Sequence, residues 1–320
     1  MRESDVIHRL RGIATHEAAR GLLDDAALFH GLIMTHDSIA EGVHFFPFDP
    51  PASVGWKLVT VNLSDLAAKG ATPAAALLSL TMAGDGEWED EFIGGIAAAC
   101  ESYDLPLIGG DTIALPESAP RVLGLTAIGY AGTRVPNRSG GEPGDRLWLI
   151  GTIGESAAGL EQLRADPKAT GSLVDVYRRP VPLLAAGRAL APHAKAMMDV
   201  SDGLLLDALR LVQASGCAAD IDLGAIPLSE AFIRDRGKDL EARLFAATGG
   251  DDYALLAALP SAFDPLTLSL PSGPTMACVG TLTAGMPEIR LTSGGRAIEL
   301  PEKLGHEHRS SDAPPMADRA

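Results

Sequence analysis

Short apolar runs alternate with segments of helical periodicity along this chain. Residues 51–71 carry Val54, Leu58, Val61 and Leu66 at nearly helical spacing, which predicts one long helix. The other predicted elements are strands at 32–35, 73–82, 121–131, 146–150 and 218–222, a strand that runs into Asp199, and helices at 87–103 and 204–215. This alternation indicates a mixed α/β or α+β fold class.

A polar segment rich in proline and glycine divides this pattern near its middle. Residues 134–145 read RVPNRSGGEPGD, which is typical of a linker. We therefore predict an N-terminal domain over residues 1–136 and a C-terminal domain over residues 137–304. Residues 305–320 are polar and contain Pro314-Pro315, so we expect a disordered tail there.

The composition is that of a globular protein, since 46% of the 320 residues are hydrophobic and 21% are charged. The formal net charge of −16 argues against a nucleic-acid partner, which would require a basic surface. Small phosphorylated ligands remain compatible with it, because Mg²⁺ can bridge a carboxylate and a phosphate. We find no apolar run of about 18 residues and no apolar leader after Met1, so we expect no membrane span and a cytoplasmic location.

Carboxylates recur directly after apolar runs or beside glycine. They are Asp24-Asp25, Asp37, Asp65, Asp111, Asp199, Asp202 and Asp251-Asp252. Carboxylates at the ends of strands converge where α/β folds place their sites. Such a group needs cations to offset its repulsion, and Mg²⁺ prefers these oxygens. The set predicts a phosphoryl-transfer site with several Mg²⁺ ions, although each Asp taken singly is better explained as a helix cap or turn residue.

The common nucleotide-binding signatures are absent from the sequence. There is no GxxxxGK[ST], no strand-linked GxGxxG and no HRD or DFG set. The glycine pairs Gly109-Gly110 and Gly249-Gly250 would permit close backbone approach to phosphates, but such pairs also make turns. Arg138 could clamp a phosphate or remain solvated. Residue types alone therefore leave the nucleotide site open.

Several segments, taken in order, resemble the thiamine-monophosphate kinase family. This family belongs to the superfamily of aminoimidazole-ribonucleotide synthetase and selenophosphate synthetase. The matching segments are EGVHF at 41–45, VNLSDLAAKGATP at 61–73, LIGGDT at 107–112, NRSGGEPGD at 137–145, GTIGESAAGL at 151–160, DVSDGLLLD at 199–207 and GGDDY at 249–253. The resemblance covers nearly the whole chain, from about Asp24 to about Leu300.

The resemblance implies a fold, a reaction and an assembly. The fold is of the α/β class with a PurM-like two-domain architecture: an α+β N-terminal domain forms a β-barrel with its copy in a homodimer, and an α/β C-terminal domain covers the cleft. The implied reaction is a Mg²⁺-dependent transfer of the γ-phosphoryl of ATP to thiamine monophosphate, giving thiamine diphosphate and ADP. Several Mg²⁺ ions assist, and no general base is assigned.

The resemblance also implies roles for individual residues. The implied metal ligands are Asp25, Thr35, Asp37, Asp65, Asp111, Asp199 and Asp202. The implied ATP contacts are Gly110, Asp111, Arg138 and Ser201, and the implied substrate contacts are His44 and Asp251.

Some positions depart from the family pattern. His36 stands where the family has a second hydroxyl before Asp37, and GGDD at 249–252 replaces GGED. The family tends to place a substrate-stacking aromatic near the C-terminus, but residues 305–309 contain no Phe, Tyr or Trp. We interpret Lys57 and Lys69 as solvated residues of the long helix.

Two other functions fit parts of the sequence. The first is a sister ATP-dependent synthetase or ligase; the absence of a cysteine before Cys100 disfavours a selenophosphate synthetase. The second is a non-catalytic protein that binds a nucleotide or thiamine phosphate. The retention of all six matched Asp residues argues against it, because simple binding would not need them.

Overall fold

A computed structural model of the chain describes residues 3–83, 86–116, 119–268, 270 and 273–307. The helices are α1 (Glu3–Leu10), α2 (Pro51–Ala68), α3 (Glu87–Ser102), α4 (Glu155–Ala165), α5 (Ser172–Arg178), α6 (Leu184–Leu190), α7 (Leu204–Ser215), α8 (Glu230–Arg236) and α9 (Leu240–Thr248). The strands are β1 (Ala27–Phe29), β2 (Leu32–Ala40), β3 (Thr72–Met82), β4 (Leu107–Ala114), β5 (Val122–Tyr130), β6 (Arg146–Ile150), β7 (Ala196–Val200), β8 (Ala218–Asp222), β9 (Ala254–Leu259), β10 (Met276–Thr283), β11 (Ile289–Ser293) and β12 (Arg296–Ile298).

The first sheet has the strand order β1-β2-β5-β3-β4, and only its β3–β4 pair is parallel. Side chains alternate between its faces, as the two-residue period of a strand requires. Ile33, Leu125 and Ala76 are buried on the face that α2 covers. His36 and Leu77, on the opposite face, are exposed. In the part of the chain that the structure describes, α2 covers one face of this sheet, and the other face has exposed side chains.

The second sheet has the strand order β12-β11-β8-β10-β6-β9-β7, and its β8–β11 pair is parallel. Strands β6 and β9, which lie between β10 and the edge strand β7, are almost wholly apolar, and nearly all of their residues are buried. A strand of this kind fits the middle of a sheet that is covered on both faces. One hydrophobic cluster of this domain includes α7 and α9, and another continues into the first domain.

Helix α2 lies at the contact between the two domains and is buried along nearly all of its length. It packs against β2 and β5 of the first sheet, and against α6 and β7 of the second domain. A Cβ atom on Gly187 of α6 would lie 2.0 Å from the backbone oxygen of Ala67, so the absence of a side chain there permits the close helix contact. The helix ends at Ala68, because Gly70 adopts a left-handed φ of 62°.

The mixed α/β class and the two-domain architecture are confirmed. Strand β2 is longer than predicted, so Asp37 lies inside a strand rather than in a loop after it. The first sheet ends at Tyr130 and the second begins at Arg146, and the domain boundary near residue 136 stays a prediction. In the predicted tail, Gly305 is buried, and residues 308–320 lie outside the described residues.

Among the described residues, no helix is both long enough and apolar enough to cross a membrane. The three cysteines are free thiols; Cys217 is buried, and Cys100 and Cys278 are partly buried.

The adjacent residues Gly94 and Gly95 provide a matched test of the contact between α2 and α3. A Cβ on Gly95 would lie 2.0 Å from the backbone oxygen of Ala52, whereas a Cβ on Gly94 would meet no described atom within 4 Å. We expect Gly95→Ala to lower the free energy of unfolding by about 1–3 kcal/mol, because the helices must separate. Gly94→Ala should raise it by about 0.5–1 kcal/mol through helix propensity. Thermal unfolding measures both, and equal effects would contradict the packing.

Candidate active site

Helix α2 forms one wall of a cavity of about 640 Å³ that both domains line. Val61 and Asp65 of this helix face the cavity, and Lys57 and Lys69 are buried beside it, 2% and 0% exposed. At 1.5 Å of rise per residue, Lys57 and Lys69 are about 18 Å apart along the helix, with Asp65 between them. The two lysines and Asp65 therefore lie beside different parts of the cavity.

Three carboxylates from separate elements converge in this cavity. Asp25 precedes β1, Asp65 belongs to α2 and Asp199 belongs to β7 of the second domain. One carboxylate oxygen from each lies within 4.8 Å of the others. The sequence separates these residues widely, and the contact of α2 with both sheets brings them together.

Each of these carboxylates is held by a neighbouring side chain. Asp25 Oδ1 accepts hydrogen bonds from Arg138, 2.6 Å from Nε. Asp65 accepts one from the Thr35 hydroxyl. Asp199 Oδ2 accepts one from Ser64, 2.8 Å from Oγ. Preorganised oxygens of this kind are suitable ligands for a hard cation.

One buried oxygen of the cluster has no hydrogen bond. Asp25 Oδ2 lies 2.5 Å from Lys69 Nζ, as an ion pair, but receives no hydrogen bond of acceptable geometry. Lys69 also donates to the backbone oxygen of Met197, at 3.0 Å, and its ammonium lies 2.5 Å from Asp24 Oδ1. Both Asp25 oxygens therefore lie against cations, Oδ1 against Arg138 and Oδ2 against Lys69, and a divalent cation at the cluster would share Asp25 with these side chains.

The pKa values of these carboxyls show the repulsion within the cluster. Burial, followed by the charges of Asp37 and Asp199, raises the pKa of Asp65 well above its usual range. Burial and the charge of Asp25 raise the pKa of Asp199 to about 8. For Asp25, burial alone would raise the pKa, but the charges of Arg138 and Lys69 bring it below its usual value. The cluster therefore accepts either protons or cations to reduce its charge.

Most of the residues with a role implied by the sequence lie around the same cavity. Those that line it are Asp25, Asp37, His44, Asp65, Arg138, Asp199, Ser201, Asp202 and Asp251. Thr35 lies behind Asp65, and Asn62 of α2 accepts a hydrogen bond from the backbone N–H of Asp37 at 2.9 Å. Their metal, nucleotide and substrate roles stay predictions.

Gly110 and Asp111 do not line the cavity among the described residues. They lie on the edge strand β4. Asp37 pairs with Leu125, Leu125 with Leu78, and Leu78 with Gly110. Gly110 is thus three strands from Asp37, or about 14 Å at the usual strand spacing. A Cβ on Gly110 would lie 1.9 Å from the Leu78 oxygen, so this glycine also serves the pairing of β3 with β4.

The loop after β7 is shaped by Asp207, a residue to which sequence reasoning assigned no role. Its Oδ2 accepts hydrogen bonds from the backbone N–H groups of Ser201 and Asp202, at 3.1 and 3.0 Å. Arg210 Nη1 is 2.8 Å from Asp207 and 2.5 Å from Asp202. The positions of Asp207 and Arg210 on α7 were a signal, because side chains three residues apart lie on one helix face.

The other part of the cavity contains His44, Tyr177, Asp251 and Tyr253. His44 Nδ1 accepts a hydrogen bond from the backbone N–H of Ala40 at 3.0 Å. A neutral imidazole held in this way carries its proton on Nε2, where it is a donor. Tyr253 donates to Asp251 Oδ1 at 2.7 Å.

The interpretation of Lys57 and Lys69 as solvated residues is wrong. Helix α2 is buried on all sides, so a lysine on it cannot reach water. Both side chains instead pair with Asp: Lys57 with Asp251, and Lys69 with Asp24 and Asp25. The spacing was a signal, since Lys57, Asp65 and Lys69 are eight and then four residues apart, which places them on one helix face.

The expectation that carboxylates follow strands is wrong for Asp37 and Asp111, which lie inside β2 and β4. Asp65 lies in the predicted helix, and Asp199 is the fourth of the five residues of the predicted strand β7. Asp25, Asp65 and Asp199 converge because α2 packs against both sheets.

The structure shows where two of the positions that depart from the family pattern lie. The His36 ring faces away from Asp37, with Nδ1 2.9 Å from the Thr126 hydroxyl. His306 lines the cavity, and its backbone N–H donates to the Asp202 oxygen at 2.8 Å. The segment without Phe, Tyr or Trp therefore still contributes His306 to the cavity wall.

Two domain models of AIR synthase related proteins match this chain. The N-terminal domain matches residues 23–131 and the C-terminal domain matches residues 142–262. The fold and the acidic cavity that both domains line therefore define a protein of the AIR synthase related class.

Comparison with known proteins identifies the family within this class. The thiamine-monophosphate kinase of Salmonella typhimurium is 36% identical over 303 residues, which cover 90% of this chain and 91% of that protein. The solved structure of AaThiL complexed with AMPPCP and TMP has a TM-score of 0.81 at 29% identity and covers 95% of this chain and 97% of that one. The thiamine-monophosphate kinase of Stenotrophomonas maltophilia has a TM-score of 0.72 at 32% identity, with 92% and 96% covered. This chain belongs to the thiamine-monophosphate kinase family.

Protons and divalent cations should compete for the carboxylate cluster. Asp199 has a pKa of about 8 in the folded chain, against an ordinary value of 3.8, so the folded state binds the extra proton. This contribution to stability is complete below pH 3.8 and is lost as the pH rises through about 8. We therefore expect the melting temperature in EDTA to fall between about pH 6 and pH 8, and excess Mg²⁺ to raise it by about 3 °C or more at the higher pH.

Asp199→Asn should remove most of the Mg²⁺ shift and reduce the pH dependence. Glu230→Gln is the control, because the Glu230 side chain is 94% exposed on α8 and its loss should change neither. A Mg²⁺ shift that is the same size at both pH values, or that survives in Asp199→Asn, would contradict cation binding by this cluster.

Proposed function

We propose that this chain transfers the γ-phosphoryl group of ATP to the phosphate of thiamine monophosphate, giving thiamine diphosphate and ADP. The observation that carries this proposal is the cluster of Asp25, Asp65 and Asp199 in a cavity that both domains line. Phosphoryl transfer requires this kind of site, because charge on the phosphates must be positioned and neutralised. The complex of AaThiL with AMPPCP and TMP supports ATP as the co-substrate.

We propose that several Mg²⁺ ions bind here, held first by Asp25, Asp65 and Asp199. Asp37, Asp202 and Thr35 extend the proposed ligand set at this cluster, and we also propose Asp111, which lies on the edge strand β4 outside the cavity, as a metal ligand. The fit rests on the three carboxylate oxygens that lie within 4.8 Å of one another. When bound, Mg²⁺ neutralises charge on the phosphate oxygens.

Residues of the chain orient ATP, the phosphoryl donor, in the cavity. Arg138 is fixed by Asp25 through Nε and Nη2, so its guanidinium is aimed before any ligand arrives. A planar guanidinium suits phosphate oxygens. Ser201, in the loop that Asp207 holds, is the second proposed ATP contact in the cavity. We propose Gly110 and Asp111 as further nucleotide contacts.

The acceptor side needs donors and a counter-charge but no strong base. The attacking atom is a phosphate oxygen, which carries no proton that must be removed, so positioning can supply most of the rate. His44, with its proton on Nε2, is a suitable donor to that phosphate. Asp251 is a suitable partner for a positively charged part of thiamine. The cytoplasmic location stays a prediction.

The test is an assay with purified protein, ATP, Mg²⁺ and thiamine monophosphate, in which thiamine diphosphate is separated by chromatography. We expect product only when both ATP and Mg²⁺ are present. Asp65→Asn should lower turnover by about 100-fold or more, because it removes charge from the centre of the cluster. Glu230→Gln serves as the control and should retain normal turnover.

Two results would redirect the assignment. ATP-dependent ring closure of formylglycinamidine ribonucleotide, without thiamine diphosphate formation, would indicate a sister synthetase. Tight binding of ATP and thiamine monophosphate without turnover by the folded protein would indicate a non-catalytic binder.

We also propose that the chain acts as a homodimer in which a second copy covers the open side of the first sheet. All eight residues of the edge strand β4 are exposed. Among them, Leu107, Ile108 and Ile113 are 47%, 63% and 50% exposed. An apolar edge strand of this length invites pairing with another chain.

Ile108→Lys should shift the protein from dimer to monomer at micromolar concentration, because it places a charge in the proposed interface. Leu266→Lys is the matched control, since Leu266 is 92% exposed in the other domain and should leave the mass unchanged. Sedimentation measures both. A wild-type protein with the monomer mass would rule out the dimer at that concentration.

A further inference from the structure

Lys57 is a buried cation to which the proposed reaction gives no role. Its side chain is 2% exposed. It is not among the described residues that line the cavity, but it contacts three residues that do: His44, Tyr177 and Asp251. The ammonium therefore lies directly behind the cavity wall on the acceptor side.

The contacts of Lys57 use its whole ammonium group. Nζ donates to Asp251 Oδ2 at 2.6 Å and to the backbone oxygen of His44 at 3.1 Å. It also lies 4.0 Å from the centroid of the Tyr177 ring. An ammonium has three N–H groups, and two oxygens and a ring face satisfy them. Lys57 could reach a substrate phosphate only by giving up one of these partners.

These contacts join the two domains. Lys57 and His44 belong to the first domain, whereas Tyr177 on α5 and Asp251 belong to the second. Tyr177 adds a second connection, because its hydroxyl donates to the same His44 oxygen at 3.2 Å. Both residues that we propose as substrate contacts are therefore tied to one lysine.

Asp251 lies in a backbone segment that needs such support. Asp251 and Tyr253 both adopt left-handed φ angles, of 72° and 54°. Residues other than glycine persist in this region only when surrounding contacts hold them. Burial alone would raise the pKa of Asp251, but the charge of Lys57 and the hydrogen bonds from Lys57 and Tyr253 bring it below its usual value. The lysine thus keeps this carboxyl both ionised and oriented.

We propose that Lys57 is a positioning residue that sets the separation and orientation of His44 and Asp251 across the domain contact. We call Lys57, Tyr177, Asp251 and the His44 carbonyl the acceptor latch. This inference rests on the proposed function, since it assigns the latch to the acceptor and not to ATP. It predicts that loss of the latch contacts raises the KM for thiamine monophosphate and leaves the KM for ATP nearly unchanged.

The test compares two identical substitutions, one on α2 and one at the residue that caps its C-terminus. Lys57→Met removes the ammonium and keeps an unbranched apolar side chain, and Lys69→Met does the same beside Asp24 and Asp25. We expect Lys57→Met to raise the KM for thiamine monophosphate by about 10–100-fold, with a change of about 2-fold or less in the KM for ATP. Lys69→Met should instead change the Mg²⁺ concentration that gives half-maximal rate.

A milder variant guards against a loss of folding in Lys57→Met. Tyr177→Phe keeps the ring under the ammonium and removes only the hydrogen bond to the His44 oxygen. It should raise the KM for thiamine monophosphate by about 2–5-fold. In Lys57→Met/Asp251→Asn the two effects should be less than additive, because each change breaks the same pair.

Crystal structures separate this inference from the proposed function. In Lys57→Met, the Asp251 carboxylate should move by about 1 Å or more relative to His44. An unmoved carboxylate overturns the inference whatever the assay shows. If the wild-type protein makes no thiamine diphosphate, the proposed function fails, and the structures still decide whether Lys57 positions these groups. A loss of kcat of about 100-fold with both KM values unchanged would make Lys57 a catalytic residue and overturn the positioning role.

Discussion

Charge buried on α2 is the constraint on which the rest of this structure depends. A covered helix can carry Lys57, and Lys69 at its C-terminal cap, only because each is paired, and Asp65 is accommodated by a hydrogen bond and a raised pKa. The partners come from both domains: Asp251 from the second, and Asp24 and Thr35 from the first. Ion pairs and hydrogen bonds therefore join the two domains in addition to apolar packing, and the cavity lies beside these contacts.

This constraint also separates the two functions of the cavity. The Lys69 region of α2 compensates the acidic cluster, and the Lys57 region holds the acceptor side. Asp65 lies between them, with a raised pKa that reflects burial and neighbouring Asp residues. One rigid helix thereby fixes the distance between the groups proposed to bind metal and those proposed to bind substrate. Rigid elements hold a site more accurately than loops do.

The sequence predicted much of the fold, because apolar periodicity is a local property. Strand β6 and helix α7 were placed with the bounds that the structure has, and the family-like segments brought His44 and Asp251 into the set that lines one cavity. The lysines were misread because their spacing shows only that they share one helix face, and the burial of that face depends on contacts with the second domain. Asp207 was passed over for a similar reason, since its partners are backbone N–H groups.

The order of the cavity residues along the chain has a consequence for synthesis. Asp25 and Asp65 leave the ribosome long before Asp199 and Asp251, and His306 leaves last of these five. Domains fold as units during translation, beginning at the N-terminus. Until the second domain packs against α2, the carboxylates of the first remain hydrated on an open surface. A polypeptide released early therefore presents an acidic groove to water in place of a closed pocket, even when its first domain is complete.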